Sequence, residues 1–331
     1  MATKKKKVVA KAKSAAKTDK VKDSLVKCEV KLEAGEWVSP DSCKIFYIDE
    51  DANFPDIVYE IKTDEPGPYE WSWVIKWTGT ACPQADGKKR FKPNPGALLF
   101  SEKGDFTSDS KQWKADLNGQ VLGGDLTVKV KAGGTTFIRK TFIRGKNPGK
   151  ERVDAYIETS WKDKNDQVVI QKIFQQESRY RQFYSDEAPL VSFDNGYGIG
   201  QLTREKPRPS YKQAWSWKEH VKEIMNVVLP DKRNRAKEYL GQKGKTPNSY
   251  TQEQYDTETM AYYNGAGRFY KWDSSASKWN ENYAAICDPN SNRSWSKADN
   301  PEMTLKELLK KNVKPSYTGH CYAKHIREAQ N

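Results

Sequence analysis

The segment Phe174-Gln175-Gln176-Glu177-Ser178-Arg179-Tyr180, followed by Asn195-Gly196-Tyr197-Gly198-Ile199-Gly200-Gln201-Leu202, decides the reading of this chain. Just upstream, Val168, Val169, Ile170, Ile173 and Phe174 recur at helical spacing. That spacing predicts a helix with a buried face and Glu177 at its end. A carboxyl half withdrawn from water and beside aromatic residues is expected to hold its proton near neutral pH. Cleavage of a bond between two sugars needs such a proton donor. The plainer reading of any isolated glutamate is a solvated helix end. After it, Gly196, Gly198 and Gly200 alternate, and glycine lets backbone approach a neighbour or ligand closely. Gln201 follows with an amide that both donates and accepts.

These residues carry a resemblance. Glu177-Ser178, Ser192, the run Gly196 to Gln201, and Ala261-Tyr262-Tyr263-Asn264-Gly265-Ala266-Gly267-Arg268 occur in that order. A late segment from Tyr317 through Tyr322 to Arg327 follows. The set resembles the lysozyme-like superfamily of lytic transglycosylases and goose-type lysozymes, over roughly the second half of the chain. The resemblance implies cleavage of the β-1,4 bond between N-acetylmuramic acid and N-acetylglucosamine in peptidoglycan. It implies Glu177 as general acid and Tyr263 as a second catalytic group. Ser192, Gln201, Asn264 and Asp194 are then substrate-binding candidates. Turn-capping hydrogen bonds are the plainer account of Ser192 and Gln201, and core packing that of Tyr263.

The second carboxylate decides the reaction. Aligned on the glycine turn, the aspartates of goose-type lysozymes fall at Ser192 and Thr203, neither of which can act as base or nucleophile. That departure resembles a lytic transglycosylase, in which one glutamate gives and then takes a proton and a 1,6-anhydro sugar forms. Asp186, Glu187 and Asp194 lie near enough in sequence to hold a water instead, so hydrolysis stays open.

Composition sets the frame. The chain has 331 residues, 36% apolar and 12% aromatic, enough for two folded regions. Mean hydropathy is −0.93 and no run approaches a membrane span. Of the formal charge of +13, most sits in the first 22 residues, with nine lysines and one aspartate. Residues 1–23 are expected to be a flexible basic tail. Nucleic-acid binding through that tail is a competing reading, though nothing points to a specific nucleic-acid partner. No secretory leader is recognisable. The expectation is synthesis in the cytoplasm and action in the periplasm or on the cell wall, after delivery or lysis. The resemblance thus extends to antibacterial secretion effectors and phage lysis enzymes. The partners implied are peptidoglycan, an immunity or inhibitor protein, and a secretion-apparatus or phage component. A non-catalytic cell-wall-binding module is the alternative function.

The expected architecture has an antiparallel, Ig-like β-sandwich over 24–145, a linker over 146–152, and a mainly α lysozyme-like domain over 153–331. Period-two alternation predicts strands at Val26–Leu32, Lys44–Ile48, Ile57–Ile61, Tyr69–Trp77, Ala97–Phe100, Leu126–Val130 and Thr136–Ile143. Helices are predicted at 153–161, 167–176, 217–229 (stopped by Pro230), 232–240 (stopped by Gly241), 257–263, 303–311 and 320–329. The polar stretch 273–300 has no predicted form. Trp71, Trp73 and Trp77 share one strand face, and Tyr211, Trp215 and Trp217 follow the glycine turn. Each set reads as core or as a sugar-stacking platform. Cysteines stand at 28, 43, 82, 287 and 321, and a bridge between Cys287 and Cys321 is one expectation. His320, Cys321 and His325 lack a fourth ligand at zinc-site spacing, so no metal and no cofactor is expected.

Overall fold

The computed structural model describes residues 33–79, 98–185, 187–192, 195–203, 209–244, 250–282, 285–287, 293–296, 303–311, 316–317 and 319–328. The tail at 1–23, the strand expected at Val26–Leu32, Cys28, Cys82, Asp186 and Asp194 lie outside the described residues.

The N-terminal part is β-rich. Its strands are β1 (Trp37–Ser39), β2 (Ile45–Ile48), β3 (Val58–Ile61), β4 (Tyr69–Thr78), β5 (Leu99–Ser108), β6 (Gln112–Lys114), β7 (Gly124–Ala132) and β8 (Thr135–Gly145). They form a five-stranded sheet in the order β2-β8-β7-β4-β5 and a three-stranded sheet in the order β1-β3-β6. Period-two burial explains the pairing of the sheets. Tyr69, Trp71, Trp73 and Ile75 of β4 point inward beside Leu126, Val128 and Val130 of β7. Tyr59 of β3 reaches Thr141 of β8 through a buried hydroxyl pair at 2.5 Å. Trp71 and Trp73 are therefore core, not a sugar platform.

One expectation needs correcting. The larger sheet is mixed, because β2 runs parallel to β8, from Ile45 opposite Phe142 to Ile48 opposite Gly145. Alternation reports which face is buried and is blind to strand direction. β5 is also longer than expected. Beyond Phe100 it is mostly exposed, and its ten-residue ladder with β4 defines it rather than apolar burial.

The C-terminal part is helical. It comprises α1 (Lys150–Ser160), α2 (Lys164–Glu177), α3 (Tyr211–Trp215), α4 (Trp217–Glu223), α5 (Leu229–Gly244), α6 (Gln252–Tyr263), α7 (Leu305–Lys310) and α8 (Gly319–Glu328). The 273–300 stretch contributes to a hairpin of β9 (Tyr270–Asp273) with β10 (Lys278–Glu281). It also supplies β11 (Ala285–Cys287) and β12 (Arg293–Ser296), which β13 (Ser316–Tyr317) joins. Asp163 caps α2 by accepting the amides of Asn165 and Asp166. A reciprocal Thr251–Gln254 box starts α6. Arg233 of α5 bridges Asp166 of α2, at 2.7 Å, and Asp256 of α6. No described helix is long and apolar enough to cross a membrane.

Pro230 and Gly241 do not stop helices. A π-turn at Ile224–Val228 connects α4 to α5, which runs through both residues. Proline lacks an N–H and crowds the carbonyl four residues back. A wider turn just before it accommodates that demand.

Segments of the helical part complete the core of the β-rich part, while a second buried cluster lies among the helices. Phe183, Val191, Tyr197, Tyr211 and Trp215 belong to the same buried cluster as the β4 and β7 side chains. Trp77 packs edge-on against Trp215 at 5.5 Å, and a Cβ on Gly123 would fall 2.0 Å from the Trp215 ring. Trp217 donates from Nε1 to the Glu50 carbonyl at 3.0 Å. Residues 146–152 are stitched on both sides. Asn147 Oδ1 accepts the amides of Gln182 and Phe183 at 2.8 Å each, and Arg152 pairs with Asp51 at 2.7 Å.

Because Trp215 belongs to this shared core, Trp215→Ala is expected to cost about 3–5 kcal/mol. It should lower one transition common to both parts in calorimetry. A variant in which the helical part alone melts early would contradict the shared core.

Candidate active site

Glu177 is the last residue of α2, and its neighbour Ser178 is the helix cap. The amphipathic spacing of α2 is what aims it. Val169, Ile170, Ile173 and Phe174 are buried, so the helix end is held and Glu177 stays partly exposed; Val168, expected on the same buried face, instead faces solvent. Ser178 is buried and donates from Oγ to the Ile199 carbonyl at 2.7 Å, joining the glutamate to the glycine turn.

The turn itself is backbone packed into an interior, where every peptide group needs a partner. Two buried side chains supply acceptors. Gln182 Oε1 takes the Ile199 amide at 3.0 Å, and His220 Nε2 takes the Gly200 amide at 3.2 Å. Both also bind α3. Gln182 donates to the Ala214 carbonyl at 2.7 Å, and His220 Nδ1 lies 3.0 Å from the Gln213 carbonyl. His220 is therefore a neutral ring with its proton on Nδ1. Burial pushes its pKa down to about 4. The Gly200 carbonyl in turn accepts the Tyr263 hydroxyl at 2.6 Å. A Cβ at 200 would lie 2.0 Å from Ile224 Cδ1, 2.9 Å from Phe174 Cε1 and 3.0 Å from the Tyr263 oxygen, so a larger residue there would force these side chains to move.

Tyr263 ends α6, and Asn264 caps it. The Tyr263 hydroxyl is held well above the ordinary phenol range, by burial first and then by the nearby Glu177 charge. The chain after Asn264 is folded back by Glu258, buried in α6, whose carboxyl accepts the amides of Arg268 and Tyr270, the latter at 3.2 Å. Burial raises the Glu258 carboxyl to about 7 despite these donors. A second tyrosine comes from α8. Tyr322 is buried, and its hydroxyl donates to Glu177 Oε1 at 2.5 Å. Its neighbour Cys321 is bridged to Cys287 of β11, the pairing expected from the sequence. Cys43 is also disulfide-bonded. Among the described residues no group of His, Cys, Asp and Glu side chains could hold a metal ion.

The structure thus brings Glu177 and Tyr263 together beside Gly200. Ser192 and Gln201 serve the turn. Ser192 Oγ accepts the Gly196 amide at 2.9 Å, and Gln201 Nε2 donates to the Gly198 carbonyl at 2.7 Å. Of the candidate second carboxylates, Glu187 hydrogen-bonds to Tyr47 in β2, and Asp186 and Asp194 lie outside the described residues. Tyr211, Trp215 and Trp217 are buried core, which corrects the sugar-cleft option for them. Sequence reasoning did not single out Gln182, His220 or Glu258. Tyr322 was quoted within a late segment but given no role. A buried polar side chain serving backbone has no fixed spacing, so no local pattern announces it.

Three outcomes are expected. Ser178→Ala removes a donor from a buried carbonyl and should cost about 1–3 kcal/mol in denaturant unfolding. Removing the Cys287–Cys321 bridge, which spans 34 residues, should cost about 3–4 kcal/mol on the chain-entropy view. The third concerns pH. His220, at about 4 folded and 6.5 unfolded, binds fewer protons when folded, so its contribution to stability grows as pH rises from 4 to 6.5. Glu258, at about 7 folded and 4.5 unfolded, binds more protons when folded, so its contribution falls as pH rises from 4.5 to 7. The two oppose each other between pH 4.5 and 6.5. Glu258→Gln should uncover a climb in stability over that range, measured by denaturant midpoints at three pH values. An unchanged pH profile would refute the pairing.

No family model, curated protein or solved structure matches the chain.

Proposed function

We propose that this protein cleaves the glycan strands of peptidoglycan between N-acetylmuramic acid and N-acetylglucosamine, with Glu177 as the single acid and base. The observation that carries this reading is the placement of Glu177. It is half-exposed at a helix end, hydrogen-bonded by Tyr322, and close enough to Tyr263 for its charge to act on that hydroxyl. The motif order Glu-Ser, glycine turn and Tyr-Asn supports a lysozyme-like assignment for the helical part. An Ig-like assignment for the β-rich part rests on its two facing sheets alone.

In the proposed reaction the Glu177 proton passes to the glycosidic oxygen as the bond from the muramic acid C1 breaks. The substrate acetamido oxygen stabilises the developing cation. The Glu177 carboxylate then removes the proton of the muramic acid 6-hydroxyl as that oxygen bonds to C1. A 1,6-anhydro end forms, no water is consumed, and the proton returns to where it began. Tyr322 orients the carboxyl throughout. The engagement of Glu187 with Tyr47 favours this one-carboxylate scheme over hydrolysis. Ser192, Gln201 and Asn264 offer backbone and amide groups along the same turns for sugar binding, and Asp194 is retained as a substrate-binding candidate.

Glu177→Gln is expected to abolish clearing of purified cell walls, a loss on the order of a thousandfold or more, while wall binding persists. A variant that clears walls as the parent does removes Glu177 from catalysis. Mass analysis of the parent's products should find anhydro ends. Reducing ends would mean that water is the acceptor.

A further inference from the structure

The peptide joining Ile199 to Gly200 is held at both ends by side chains that face it from different elements. Its carbonyl accepts Ser178 Oγ at 2.7 Å, and its amide donates to His220 Nε2 at 3.2 Å. The next carbonyl, that of Gly200, accepts the Tyr263 hydroxyl at 2.6 Å. Ser178 adjoins Glu177 in the chain, and Tyr263 lies close enough to Glu177 to feel its charge. His220 is fully buried, so its two nitrogens can serve only what they touch. On one side that is the Gly200 amide, and on the other the Gln213 carbonyl at 3.0 Å.

We infer that His220 is a positioning residue for the Glu177 site: it fixes the tilt of the Ile199–Gly200 peptide, and through it the Gly200 carbonyl that anchors the Tyr263 hydroxyl. This inference rests on the glycan-cleavage reading above. The argument is geometric. A peptide plane is rigid, so holding its N–H sets the direction of its carbonyl and constrains the next one. Without an acceptor at 220, the buried Gly200 amide must turn toward another partner. The Gly200 carbonyl would turn with it. Tyr263 would lose its anchor, and the phenol would shift relative to Glu177. Small displacements of this kind act on reacting geometry more than on substrate affinity. The depressed pKa of His220 accords with this role, because a protonated ring would have no acceptor for the amide.

The role is specific to an acceptor and a donor on opposite ends of one side chain. Glutamine meets that requirement. Its amide oxygen can take the Gly200 amide while its amide nitrogen donates to the Gln213 carbonyl. Leucine and methionine fill similar space and provide neither.

The test compares His220→Gln, His220→Leu and His220→Met with the full-length parent on purified peptidoglycan, with amide hydrogen exchange followed at Gly200. Methionine is included because its flexible side chain adapts where leucine fails to fold. The glutamine variant is expected to keep kcat within a few-fold of the parent and to keep the Gly200 amide protected. Leucine and methionine should lower kcat by on the order of tenfold to a hundredfold with KM nearly unchanged, and expose that amide. Equal kcat in all four proteins overturns the inference and leaves the glycan-cleavage reading intact. So does a glutamine variant as impaired as the apolar ones. A parent that leaves peptidoglycan uncut overturns the reading and this inference together.

Discussion

Backbone that enters a protein interior without helix or strand must find its hydrogen bonds elsewhere. The turn from Gly196 to Gln201 is such a segment, and its demand organises the centre of this molecule. Ser178, Gln182, Ser192, Gln201, His220 and Tyr263 all spend their polar atoms on its amides and carbonyls. They come from the end of α2, the loop after it, the turn itself, α4 and α6. Satisfying one short turn therefore fixes how three helices meet. The glycines follow from the same constraint, because a side chain at 198 would displace Gln182 and one at 200 would displace Ile224, Phe174 or Tyr263.

The glutamate inherits its surroundings from this arrangement. Its helix is anchored by an apolar stripe on one side and by the serine-to-turn bond on the other. Two tyrosines approach it from elements far apart in sequence, Tyr263 at the end of α6 and Tyr322 on α8. Tyr322 in turn depends on the start of α8, which the adjacent disulfide ties to β11.

Much of this was readable before any coordinates. Alternation located β3, β4, β7 and β8, because each has one face that is mostly buried. The periodic stripe located α2, and the Tyr-Asn turn located the end of α6. The failures have physical causes. β5 is an edge strand held by its ladder, so its side chains carry little pattern. The parallel pairing of β2 with β8 is a matter of chain direction, which side-chain order does not encode. Pro230 and Gly241 look like stops locally, yet packing along α5 outweighs a penalty of a few kcal/mol at most. His220 and Glu258 serve backbone that is distant in sequence or beyond a turn, so neither sits in a recognisable spacing. The aromatic residues after the glycine turn were ambiguous because a core and a sugar platform use the same rings. Tyr211 and Trp215 are buried against the sheet and Trp217 among the helices, which decides for the core.

The contribution of helical-part residues to the sheet's core has a practical corollary. Tyr197, Tyr211 and Trp215 lie on helical-part segments but are roofed by Trp77 and Phe100 of the sheet. A fragment beginning near residue 146 would present those rings to solvent as a bare, greasy scar beside the glycine turn. Self-association of such a fragment follows, so production of the helical part by itself calls for the sheet to be supplied as well, in cis or as a co-expressed piece.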